Sequence, residues 1–93
     1  MIESFADKRT EKLFEGSSKK GFPPDLIRRA ITKLDQLDSA QKLGDLELPP
    51  SNHLESLKGN RKGFYSIRVN GQWRVCFKFM SGNAYEVEIE DYH

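Results

Sequence analysis

From Phe64 onward, apolar and polar residues alternate with a period of two, and no other feature of the chain constrains its fold as strongly. Such alternation belongs to β-strands with one buried face and one solvated face. The turn at Asn70-Gly71 decides how the first two of these strands pair. A two-residue hairpin loop would set Arg68 against Trp73 and Ile67 against Arg74, mixing the faces. An odd loop holding Asn70 to Gln72 aligns Val69 with Trp73, Ile67 with Val75 and Tyr65 with Phe77 on one side, and is the register expected. The other face then carries Ser66, Arg68, Arg74, Cys76 and Lys78, with the two arginines side by side. A further strand follows Ser81-Gly82, with Tyr85, Val87 and Ile89 facing inward and Glu86, Glu88, Glu90 and Tyr92 outward.

The first half of the chain supplies the cover for the apolar face. Ile2 to Phe5 reads as a short strand, and Asp7 is placed to cap a helix from Lys8 to Glu15 that ends at Gly16. After a polar loop, Pro23 and Pro24 start a second helix, because a proline's missing amide costs nothing in the first turn. Leu26, Ile27, Ala30, Ile31, Leu34 and Leu37 form its apolar stripe. Ala40 to Leu43 reads as one more helical turn closed by Gly44, and Pro49-Pro50 as an extended, ordered loop. The expectation is an α+β fold of order β-α-α-β-β-β: a small antiparallel sheet with helices packed on one face, the other face polar and cationic.

With 93 residues, the chain is expected to form a single domain with one core. Cys76 is the only cysteine, so neither an internal disulfide nor a cysteine-based metal site is expected, and a reducing cytoplasm suits the chain. The start MIESFADKR lacks the apolar stretch of a signal peptide, and no run nears the roughly 20 apolar residues of a membrane span. A cytoplasmic protein without membrane attachment is expected. The net charge of +1 conceals segregation: from Ser56 through Tyr85 there is no Asp or Glu, while Lys58, Arg61, Lys62, Arg68, Arg74 and Lys78 all fall there. Glu86, Glu88, Glu90 and Asp91 follow at once, so the sum hides a basic block that suits an anionic partner.

Two arginines facing each other repel unless an anion sits beside them. The plainer reading gives that role to Glu86, Glu88 or Glu90 as an exposed ion-pair ladder. The functional reading is a phosphate cradle, since guanidinium groups bind phosphate oxygens in pairs and stabilise charge developing in a phosphoryl transition state. Lys58, Arg61 and Lys62, set between glycines, are either a solvated loop or a contact to nucleic-acid backbone, with Gln72 and Lys78 as further contacts. Histidine is the side chain that exchanges protons near neutral pH, and only His53 and His93 are present, too far apart in sequence for metal-ligand spacing. The ending EDYH brings Asp91, Tyr92 and His93 together at the end of a strand bordering the arginines. Alternation assigns Tyr65, Trp73, Phe77, Phe79 and Tyr85 to the core, and leaves Phe64 and Tyr92 as aromatics available to stack on a base.

The opening MIESF, the segment LESLKGNRKGFYSIRVNGQWRVCFKF and the ending IEDYH closely resemble the HigB group of toxins within the RelE/ParE superfamily, also described as plasmid maintenance killer proteins. The likeness spans nearly the whole chain. It implies a microbial-ribonuclease-like sheet and cleavage of mRNA in the ribosomal decoding site. It also implies a neutralising partner, a HigA-like helix-turn-helix antitoxin. By the same resemblance Asp91, Tyr92 and His93 are implicated in catalysis, Arg74 in holding the scissile phosphate, Arg68 in the superfamily's basic position, and Lys58 and Arg61 in contacts to ribosomal RNA. The chain departs from some HigB toxins by carrying Glu55 where they have a histidine needed for activity; His53, two residues away, falls on the same side if the segment is extended.

The mechanism expected is attack of a ribose 2′-hydroxyl on the adjacent phosphate, leaving a cyclic phosphate and a free 5′-hydroxyl. Arg68 and Arg74 stabilise the phosphate, His93 donates a proton, Glu55 or Asp91 removes one, and Tyr92 orients the base or substrate. The scheme calls for no metal and no cofactor. Two rival expectations are a ParE-like inhibitor of DNA gyrase on the same fold and a non-catalytic ribosome- or RNA-binding module.

Overall fold

The computed structural model describes residues 1–92. Helix α1 spans Lys8–Glu15 and starts where the sequence places it, with the Asp7 side chain accepting the amide of Thr10. Gly16, at φ 80°, closes it in the left-handed conformation that glycine adopts without a Cβ penalty. A 3₁₀ turn over Pro24–Leu26 leads into helix α2, Ile27–Ser39. The prolines thus start a tighter turn, and the α-helix proper begins one residue past it.

The sheet contains β1 (Glu55–Ser56), β2 (Phe64–Arg68), β3 (Trp73–Met80) and β4 (Asn83–Asp91), antiparallel throughout in the order β1-β2-β3-β4. The β2–β3 register is the odd-loop one: Tyr65 faces Phe77, Ile67 faces Val75, and Arg68 faces Arg74. The Asn70 side chain holds the turn by accepting the amides of Gln72 and Trp73. Leu26, Ala30, Leu34 and Leu37 of the helical stripe pack with Ile67, Val75, Phe77, Val87 and Ile89 in one core. Complete burial of each Leu, Ile, Val or Phe side chain here contributes about 1.5–3 kcal/mol, which fixes the helices to this face. No helix is long and apolar enough to cross a membrane.

Four expectations are corrected. Ile2 to Phe5 does not form a continuous strand: it runs parallel to β4 and touches it at two bridges, Ile2 with Ala84 and Phe5 with Val87. Between them Glu86 takes φ 52° and gives its amide to the Ser4 hydroxyl, which interrupts the ladder. That same irregularity shifts the phase of β4, so that Lys78 pairs with Tyr85 and Phe79 with Ala84. Ala84 therefore fills the core position that simple alternation gave to Tyr85, and Tyr85 lies on the polar side, half-buried. The helical turn expected over Ala40 to Leu43 lies at Leu43–Glu47, because Asp45 accepts the amides of Gln41 and Lys42 and pins its start. Finally, the Pro49-Pro50 loop is not wholly extended: Pro50–Asn52 forms a 3₁₀ turn, and His53 follows in the left-handed region at φ 44°.

Candidate active site

Arg74 is the centre of the polar face. It is only 8% exposed, although simple alternation suggested an open cationic surface. Its Nε donates to the Ser66 hydroxyl at 2.8 Å, its Nη2 donates to the carbonyls of His53 and Ser66, and Glu55 pairs with Nη2 at 3.1 Å. The Tyr92 ring centroid lies 5.6 Å from the guanidinium carbon. A buried cation requires this kind of satisfaction, and Arg74 obtains it from β1, the turn before it and β2. Its Nη1 makes no hydrogen bond among the described residues.

The acidic strand does not neutralise the two facing arginines. Glu90 is the cross-strand partner of Arg74, yet its carboxylate accepts from Arg61 Nη1 at 2.7 Å and from the Cys76 thiol at 3.0 Å. Glu88 lies 3.8 Å from Arg61 Nη2. Arg61 is therefore a structural cation, and the Glu90 hydrogen bond holds its pKa above the ordinary value. Burial pushes the Cys76 thiol up to about 12, with the Glu90 contact adding to it, so the cysteine stays protonated. Burial also raises Glu88 to about 7, reinforced by Glu90 and Asp7. Burial acts upward on Glu90 too, but hydrogen bonds from Arg61, Cys76 and Glu88 outweigh it and its pKa is lowered.

A hollow of about 450 Å³ opens beside this network, lined by Arg9, Arg61, Glu88, Glu90, Asp91 and Tyr92. Gln72 fixes its rim: its side-chain amide donates to Asp91 Oδ2 at 2.9 Å, and its carbonyl accepts the Tyr92 amide at 2.7 Å. Gln72 was expected as an RNA contact, and in the fold it clamps the end of β4. Tyr92 is 47% exposed, lines the hollow and lies beside Arg74. His93 lies outside the described residues. His53 is not extended, so the same-side placement expected for its side chain does not hold; its carbonyl meets Arg74.

The remaining candidate residues separate from this centre. Arg68 faces Arg74 across β2–β3, but its guanidinium extends toward the turn, within 3.8 Å of where a Cβ on Gly71 would sit. Lys58 and Lys62 are exposed along a groove of about 510 Å³ that also holds Leu57 and Tyr65. Lys78 sits 5.6 Å from the Phe64 ring centroid and 4.0 Å from Glu86. Arg9, which sequence reasoning passed over, ties α1 to β4: it donates to the carbonyls of Gly21 and Ile89 and lies 4.6 Å over the Phe22 ring. In the sequence it is one charge among Asp7, Lys8, Glu11 and Lys12, and such a cluster carries no indication of tertiary partners.

Comparison with known proteins bears on the family and the fold. In sequence, the chain is similar to an Endoribonuclease HigB of Proteus vulgaris, 39% identical over 93 residues and covering all of both chains. It is also similar to Toxin HigB-1 of Vibrio cholerae, 40% identical over 91 residues, covering 97% of this chain and 96% of that one. In structure, it resembles a YoeB-YefM complex from Staphylococcus aureus, with a TM-score of 0.62 at 15% identity, covering 100% of this chain and 98% of that one. YafQ from E. coli gives a TM-score of 0.58 at 16% identity, with 98% and 91% covered. Residues 3–93 match the family described as RelE-like toxin of type II toxin-antitoxin system HigB, and the chain belongs to that family.

Proposed function

We propose that the chain is an endoribonuclease that cuts mRNA on the ribosome, without a metal or cofactor, by attack of a ribose 2′-hydroxyl on the neighbouring phosphate. The observation that carries the reading is Arg74: a buried guanidinium, held rigidly on one edge and with Nη1 uncommitted among the described residues, next to an exposed carboxylate and an exposed tyrosine. RNA brings its own nucleophile, so the protein has only to stabilise the crowded phosphate and move two protons. Arg74 supplies the charge, and Arg68, paired with it across β2–β3 but with its guanidinium toward the turn, adds positive potential at that end of the sheet. Glu55, 57% exposed at its side chain, or Asp91 takes the 2′ proton. His93 gives a proton to the leaving 5′ oxygen, and Tyr92 stacks on or orients a base. Lys58, Lys62 and Lys78 contact RNA backbone.

Membership of a toxin–antitoxin family gives the protein an antitoxin as partner; that this antitoxin is a HigA-like helix-turn-helix protein, and that ribosome-bound mRNA is the target, are parts of the proposal. Mapping mRNA 5′ ends after brief expression tests it. The wild type should create new 5′ ends within coding regions, and Arg74→Ala should suppress them by about 10²-fold or more, the scale of losing one transition-state donor. Unchanged cleavage in both Arg74→Ala and His93→Gln would sink the reading. DNA damage without new mRNA ends would point to a gyrase inhibitor instead.

A further inference from the structure

A second hollow, this one cationic, lies apart from Arg74. Arg28, Arg29, Thr32 and Lys33 of α2 line about 360 Å³ together with Ser51, Arg68 and Val69. Four of these seven residues are cations and none is an acid. Among the described residues, none of the four cations forms an ion pair within 4 Å, although Asp25, in the 3₁₀ turn that leads into α2, is only three and four residues from Arg28 and Arg29.

Lys33 makes the hollow more than a charged surface. Its residue is 9% exposed, and its ammonium donates to the carbonyl oxygen of the Asn52 side chain, which is fully buried. Asn52 is itself fixed by donating to the carbonyls of Leu46 and Leu48 and to the Gln36 side chain. An ammonium has three donors, and only one has a partner among the described residues. Burial, and then the nearby Arg29, lower its pKa, as expected of a cation held without an anion. Crowding four like charges around one hollow opposes folding unless an anion enters it.

We propose that this hollow binds backbone phosphates of the RNA strand that flank the scissile phosphate. Arg68 connects the two places. It lines the hollow and is the cross-strand backbone neighbour of Arg74, with its guanidinium toward the Asn70–Gln72 turn, so an RNA strand leaving Arg74 reaches the hollow by rounding the turn end of β2 past Arg68. Three of the four cations are guanidiniums, whose planar fork matches phosphate oxygens in pairs, and the Ser51 hydroxyl at the lining adds a neutral donor. The inference rests on the RNA-cutting reading of Arg74, but its test does not need cleavage.

The test uses the full chain and a short single-stranded RNA with 2′-O-methyl sugars, which cannot be cut, with affinity followed by fluorescence anisotropy across a salt series. Arg28 and Arg29 are exposed, so Arg28→Gln with Arg29→Gln leaves the core intact. The double variant should bind about tenfold or more weakly. Its plot of log affinity against log salt should flatten by about 1.4, at roughly 0.7 for each lost phosphate contact. Lys19→Gln with Lys20→Gln, equal in charge change and also exposed, should lose little. Equal losses in the two double variants, or no loss in either, would overturn the proposal. So would unchanged RNA affinity with weakened binding of the purified antitoxin, which would assign the hollow to an acidic protein segment. Arg74→Ala reports separately: if cleavage survives it while the hollow still binds RNA, the catalytic reading fails and the docking site stands.

Discussion

Arg74 and Arg61 show how far one residue's role depends on its surroundings. Both are arginines of the basic block, yet Arg74 is 8% exposed with Nη1 unbonded among the described residues, and Arg61 is bound by Glu90 and Glu88. Burial, with Glu90 beside it, raises Glu88, while hydrogen bonds from Arg61, Cys76 and Glu88 outweigh burial at Glu90, which is why one pKa rises as the other falls. The sign for stability follows from proton counting. With Glu88 raised from 4.5 to about 7, the unfolded chain releases this proton first as pH rises, so folding loses stability across that interval. Thermal unfolding measured from pH 4.5 to 8 should show this decline, and Glu88→Gln should abolish it while matching the wild type at the acid end. A parallel decline in the variant would mean that another group is responsible.

At the scale of elements, the decisive irregularity is in β4. Glu86 at φ 52° carries a side chain in a conformation that favours glycine, and the resulting bulge turns Tyr85 outward and Ala84 inward. The Lys78–Glu86 pair, 4.0 Å long with both side chains well exposed, contributes little in return. Glu86→Gly is therefore expected to stabilise the protein by about 0.5–1 kcal/mol, read as a higher urea midpoint at unchanged slope. A lower midpoint would show that the Glu86 side chain has a role beyond its ion pair. The helices need no such device: capping at Asp7, closure at Gly16 and the stripe from Leu26 to Leu37 agree with one another, and sequence reasoning found both.

Across the whole molecule, the basic block divides into separate functions. Lys58 and Lys62 are exposed, whereas Arg61 secures the loop between β1 and β2 to β4. Removing all three would mix two effects. Lys58→Gln with Lys62→Gln is expected to weaken ribosome association and flatten its salt dependence with an unchanged melting temperature. Arg61→Gln is expected to lower the melting temperature, since it leaves Glu88 and Glu90 partly buried without their cation. Pelleting with ribosomes and thermal unfolding on the same samples distinguish these outcomes; a lysine pair that melts early, or an arginine variant that does not, would contradict the division.

The sequence by itself determined the two helices, the three long strands, the β2–β3 register and the pairing of Arg68 with Arg74, because these follow from local periodicity, capping and turn chemistry. It also placed Arg74, Asp91 and Tyr92 at one end of the sheet. Only the tertiary structure decided which anion each cation meets, Glu55 rather than the acidic strand for Arg74 and Glu88 and Glu90 for Arg61, and that the neutral Gln72 amide donates to Asp91. Charges reach several ångströms along flexible side chains and choose partners by position in space and by burial, and alternation along a strand records only which face a residue occupies.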